Sequence, residues 1–143
     1  PNWFFRISKF ILPFLKGKYF IETTLLSELK QIPEDLENYV LKPLFSFAGS
    51  GVNLTPTPQD FEKIEDRTNY ILQRKVEYAP LFEDINGEFS KAEIRLLYIW
   101  NEDSDKPKLM EHLIRMTKAA MVNVDFNKKD AIWIGGSTAF TER

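Results

Sequence analysis

The chain has 143 residues, 43% of them hydrophobic and 28% charged, which fits a folded domain and excludes disorder. Its 19 basic and 21 acidic residues leave a net charge of −2, which excludes binding nucleic acid by bulk charge. With no cysteine and one histidine, disulfides, thiolate metal sites, cysteine nucleophiles and multi-histidine metal centres are all excluded.

No apolar run reaches the roughly 18 residues that a membrane-spanning helix needs, so no membrane partner is expected. Pro1 opens the chain without a signal-peptide pattern, and Pro-Asn-Trp-Phe-Phe reads like the inside of a domain. The expectation is a fragment of a longer, cytoplasmic protein.

In chain order, residues 2–16 predict a helix, because Trp3, Ile7, Phe10, Ile11 and Phe14 recur at helical spacing, with Pro13 blurring its end. Gly17 is a turn and Tyr19–Ile21 is extended. Residues 22–30 predict a second helix carrying Leu25, Leu26 and Leu29. Residues 38–44 predict a strand, 45–52 a turn of small residues, and 51–54 a short strand. Thr57, Pro58 and Asp60 form a helix-start signature, with the helix running to about Arg67. Residues 70–76 predict a strand, and 78–90 a loop or hairpin around Asn86-Gly87. Strands are then expected over 92–100, 108–116, 121–127 and 131–135. The order of elements predicts an α+β fold with two sheets.

Five constellations could carry chemistry. Lys42 shares a strand face with Val40 and Leu44 and lies just before a glycine turn, a placement that suits phosphate; a snorkelling lysine at a sheet edge has the same pattern. The turn Ser46-Phe47-Ala48-Gly49-Ser50-Gly51 allows close approach of backbone N–H groups to an anion, or is a plain hairpin turn. It is not a Walker loop, since no Gly-Lys-Ser/Thr follows.

Glu93 and Arg95 share one face of a strand, opposite Ile94, Leu96 and Tyr98; the bland reading is a solvated ion pair. Asn123, Asp125 and Asn127 alternate on one side, and a carboxylate with a carboxamide two residues on suits Mg²⁺, or merely a polar edge strand. Arg115 faces either a phosphate or solvent, and His112 reads as incidental.

Taken in order, Val40-Leu41-Lys42-Pro43, Gly49-Ser50-Gly51-Val52, Gln73-Arg74-Lys75-Val76, Glu93-Ile94-Arg95, Arg115, Asn127 and Gly135-Gly136 resemble the ATP-grasp fold over residues 8–136. That resemblance implies two α+β subdomains, about 1–76 and 77–143, whose antiparallel sheets sandwich a nucleotide, with the family's amino-terminal lobe absent. It implies an ATP-dependent ligase that activates a small-molecule or peptide carboxylate as an acyl phosphate for attack by an amine or thiol.

By the same resemblance, Lys42 contacts the phosphates of ATP and residues 46–51, with Ser46, Gly49, Ser50 and Gly51, form a flap. Gln73, Arg74, Lys75 and Val76 line the adenine, with backbone recognition favoured because the family often has Glu where Arg74 stands. Lys9 is a candidate for the family's earlier lysine. Glu93 joins the nucleotide site, and Arg95 and Arg115 act on the transferring phosphoryl group. Mg²⁺ falls to Asp125 and Asn127, or Asn127 precedes metal carboxylates that lie beyond Arg143. A degenerate ATP-grasp or α+β interaction domain without catalysis is the competing reading, as is direct phosphorylation of a substrate. The apolar stripe from Trp3 to Phe14 would support a homodimer if left uncovered.

Overall fold

The computed structural model describes residues 8–122 and 127–140, an α+β chain with two antiparallel sheets. It divides into two compact units, Pro1–Val76 and Glu77–Arg143.

The first unit is built on β1 (Thr23–Leu25), β2 (Tyr39–Pro43) and β3 (Tyr70–Arg74), in the order β1-β3-β2. The register pairs Lys42 with Ile71, Val40 with Gln73, and Thr23 with Gln73. Opposed residues share a sheet face. One face therefore carries Leu41 and Leu72, which pack with Leu26, Leu36 and Phe61. The other carries Ile71 and Leu25, packed with Leu44 and flanked by Phe10 and Leu12. That second face also holds Val40, Lys42, Gln73 and Thr23.

Several predicted elements are corrected. Within the described residues, the expected 2–16 helix is a 3₁₀ helix over Lys9–Phe14, started by the Ser8 hydroxyl accepting from the Phe10 N–H. Pro13 lacks the N–H that an α-helical ladder requires there. Trp3 and Ile7 lie outside the described residues. The expected 22–30 helix is strand β1 followed by a 3₁₀ turn, Leu26–Glu28. Thr23 and Thr24 are β-branched and suit the strand, and the Glu22 carbonyl accepts the Arg74 N–H at 2.9 Å. Sheet pairing overrides the leucine spacing.

The 51–54 strand reduces to a single bridge between Leu41 and Asn53. Helix α1 spans Pro58–Glu62, with the Thr57 N–H donating to Asp60 as the helix-start signature predicts. It stops short of Arg67 because the Asp66 carboxylate accepts from the Thr68 N–H and nucleates a separate 3₁₀ turn, Arg67–Asn69.

The second unit is a sheet of β4 (Pro80–Glu83), β5 (Phe89–Ile99), β6 (Lys108–Thr117) and β7 (Gly135–Thr138), in that order. The β4–β5 turn forms around Asn86-Gly87, with Gly87 at φ +78° and Asp84 accepting from the Asn86 and Glu88 N–H groups. The expected strand at 131–135 lies instead at Gly135–Thr138, because Trp133 adopts φ +58°, which no strand accommodates. The expected strand at 121–127 is not formed at Met121, Val122 or Asn127, and residues 123–126, including Asn123 and Asp125, lie outside the described residues.

All nine buried apolar residues among those described belong to the first unit. Ile94, Leu96 and Tyr98, on the strand face opposite Glu93 and Arg95, are 62%, 50% and 53% exposed.

Candidate functional site

In the first unit, Lys42 sits mid-strand on β2, and its ammonium donates to Gln73 Oε1 at 2.6 Å. Gln73 Nε2 in turn donates to Thr23 Oγ1 at 2.8 Å, and Thr23 Oγ1 donates to the Ile21 carbonyl at 2.9 Å. Gln73 and Thr23 are each 5% exposed, so this relay fixes the amide with its oxygen toward the lysine.

Lys9 arrives from the 3₁₀ helix. Its ammonium donates to the Leu44 carbonyl at 3.3 Å, the Ser46 carbonyl at 3.1 Å and Ser46 Oγ at 2.9 Å. Lys9 thus holds the start of the 46–51 turn beside the end of the Lys42 strand.

The electrostatics of this pair are unusual. Burial, and after it the nearby Lys9 ammonium, holds Lys42 below the ordinary lysine range. Burial also lowers Lys9. Neither forms an ion pair with a carboxylate among the described residues. Two like charges, both partly desolvated, carry a cost that a nearby anion would offset.

The turn beyond Ser46 folds through left-handed backbone at Ala48, Gly49 and Gly51, with φ of 50°, 80° and 69°. A Cβ at Gly51 would stand 2.8 Å from Pro43 Cγ, so the glycine lets the loop close onto the Lys42 strand. Ser50 N–H bonds the Phe47 carbonyl and Val52 N–H bonds the Gly49 carbonyl, which leaves the loop as two consecutive turns.

Beyond Gln73, the Arg74 N–H donates to the Glu22 carbonyl and the Lys75 N–H to the Asn38 carbonyl. The Arg74 guanidinium lies near Asp35 and over the Tyr39 ring. Val76, about half exposed, makes no N–H hydrogen bond among the described residues. It is therefore the backbone position of 74–76 with a donor to offer a planar heterocycle.

In the second unit, the β5–β6 register sets Glu93 opposite Arg115, with Arg95 two residues on along the same face. Arg95 Nε lies 2.6 Å from Glu93 Oε1, and Arg115 Nη1 lies 4.0 Å from the same oxygen. Arg115 Nη2 also donates to the Val122 carbonyl at 2.8 Å. Two guanidinium groups thus share one carboxylate. Tyr78 stands beside it, raised above the ordinary phenol range by burial and then by the Glu93 carboxylate.

Asn127 has a clear structural part. Its Oδ1 accepts from the Lys118 N–H at 2.9 Å, the Ala119 N–H at 3.1 Å and Thr117 Oγ1 at 3.2 Å. A carboxamide oxygen so engaged pins the turn after β6 and does not fit a metal ligand; Asp125 lies outside the described residues, so no step here depends on Mg²⁺.

Sequence reasoning missed Thr23, hidden inside a predicted helix, and named Lys9 only as a candidate for the family's earlier lysine. It also missed Lys118, which pairs with Asp84 and with Glu88, the latter at 2.7 Å. An isolated lysine after a strand carries no motif. No family, curated protein or solved structure matches the chain.

Proposed function

We propose that this chain is the ATP-binding portion of an ATP-grasp ligase, which activates a carboxylate as an acyl phosphate for capture by an amine or thiol. The observation that carries this reading is the Lys9–Lys42 pair: two partly buried ammonium groups, with no carboxylate partner among the described residues, beside a glycine-rich turn. A triphosphate supplies the missing negative charge. The Thr23–Gln73 relay orients Lys42 toward it, the 46–51 turn supplies small residues near the phosphates, and Val76 offers its N–H to the adenine edge.

In the reaction, a carboxylate oxygen attacks the γ-phosphorus and ADP leaves. The amine or thiol then attacks the acyl carbon and inorganic phosphate leaves. The resemblance assigns Arg95 and Arg115 to stabilising charge on the transferring phosphoryl group, which is where catalysis of this kind gets most of its acceleration.

The test is calorimetric titration of the 143-residue chain with a non-hydrolysable ATP analogue. Replacing Lys42 by Ala removes one charge-assisted contact, so affinity falls roughly 10- to 100-fold. An unchanged affinity in Lys42→Ala contradicts the reading. A second reading, nucleotide binding without turnover, is favoured by the engagement of Asn127 in its turn. Binding without ADP release across a panel of carboxylates and amines would select it.

A further inference from the structure

An ammonium has three N–H donors. Lys9 commits all three: to the Leu44 carbonyl at 3.3 Å, the Ser46 carbonyl at 3.1 Å and Ser46 Oγ at 2.9 Å. Lys42 commits one among the described residues, to Gln73 Oε1. A phosphate can therefore dock on Lys42 as it stands, but it reaches Lys9 only by taking a donor from Ser46 or Leu44.

The turn that Lys9 holds is fastened unevenly. Its far end is bound into the sheet: Asn53 and Leu41 exchange both backbone hydrogen bonds, at 2.9 and 3.0 Å, and Asn53 Nδ2 donates to Asp60 at 3.1 Å. At the near end the Leu44 N–H bonds the Asn69 carbonyl at 2.8 Å. Beyond it, the hydrogen bonds that Ser46 makes among the described residues all come from Lys9. Between the two ends Ala48 takes φ +50°, left-handed backbone that is costly for a residue with a Cβ. Phe47 is 77% exposed, so its ring does little to hold the turn down. A strained turn is thus hinged at one end by sheet pairing and fastened at the other by one side chain.

We infer that Lys9 is a latch: it keeps the 46–51 turn fastened to the end of β2 until a phosphate group draws its ammonium away from Ser46, which frees the turn to move about its Asn53 end. The inference rests on the nucleotide reading and adds a step to it. A phosphate oxygen is a stronger acceptor than the Ser46 carbonyl or hydroxyl because it carries charge. Phosphate binding and release of the turn then form one equilibrium, and the cost of opening the latch is subtracted from the affinity. Whatever weakens the Lys9–Ser46 contact must strengthen phosphate binding.

Ser46→Ala tests that sign, since it removes one of the two Ser46 acceptors and leaves both lysines in place. Titrated at one fixed ionic strength with inorganic tripolyphosphate, a probe without adenine, the variant is expected to bind roughly 3- to 10-fold more tightly than the wild type. A Ser46 that merely braced the turn, or that itself held phosphate, would give equal or weaker binding. Either result overturns the inference and leaves the nucleotide reading in place. Lys9→Met tests the latch with no ligand present. Amide hydrogen exchange at Ser50 and Val52, whose N–H groups close the turn onto the Phe47 and Gly49 carbonyls, is expected to quicken roughly tenfold, while Leu72 in the sheet core keeps its rate. Unchanged exchange at Ser50 and Val52 also overturns the inference. A wild type that binds no tripolyphosphate, with Lys9→Met still loosening the turn, places the failure in the nucleotide reading and takes the phosphate trigger with it.

Discussion

Lys42 shows how one residue can be read for what it lacks. A structural lysine at a sheet edge keeps its ammonium in water, whereas this one lies against Gln73 on a partly buried face and has a second ammonium for a neighbour. Gly51 is the residue that lets the adjoining loop reach it. Its φ of +69° and the 2.8 Å approach of Pro43 to a Cβ predict that Gly51→Ala lowers stability by about 1–2 kcal/mol, measured by thermal or urea unfolding. An unchanged midpoint would show that the loop does not close on Pro43.

Asp84 belongs to the same scale. Hydrogen bonding from Lys118, then from the Asn86 and Glu88 N–H groups, holds its carboxyl below the ordinary range, and its side chain is fully covered. A depressed carboxylate stabilises the fold above its unfolded pKa of about 3.9 and loses that contribution as pH falls toward the native value. Lys118, raised by the same partners, keeps its share at every pH below its ordinary value. The second unit should therefore lose thermal stability as pH drops below about 4, and Asp84→Asn should flatten that dependence. A wild-type profile already flat in this range would contradict the assignment.

Among the elements, β3 organises the first unit, since it lies between β1 and β2 and presents Ile71 to one core and Leu72 to the other. Ile71 is 0% exposed, so Ile71→Ala is expected to cost about 2–5 kcal/mol in urea unfolding, and a cost under about 1 kcal/mol would mean that the site collapses to fill the gap.

The strands at 39–43, 70–74, 89–99 and 108–117 were legible because their β-branched and aromatic runs are bounded by turn residues. The face shared by Val40 and Lys42 was legible from alternation alone. The segment 22–30 was not, because Leu25, Leu26 and Leu29 satisfy helical spacing while the partner that draws Thr23–Leu25 into a sheet is some 50 residues away, as the Thr23–Gln73 pairing shows. Thr23 was missed as part of the site for the same reason. The backbone at Trp133 was illegible because nothing local signals a left-handed tryptophan.

At the scale of the molecule, the two units divide their burial unequally. The first encloses two apolar clusters; the second holds its described buried positions with Asp84, Ser90 and Thr117 and leaves a strand face of Ile94, Leu96 and Tyr98 open. The proposed function puts phosphate on Lys9 and Lys42 of the first unit. The most direct measurement is the difference in affinity between a non-hydrolysable ATP analogue and adenosine, in the wild-type chain and in Lys42→Ala. The wild type is expected to bind the triphosphate at least tenfold more tightly than the nucleoside, and most of this difference is expected to disappear in the variant while adenosine binding stays the same. Equal affinity for the two ligands in the wild type, or a preference for the triphosphate that survives Lys42→Ala, would contradict the proposed function.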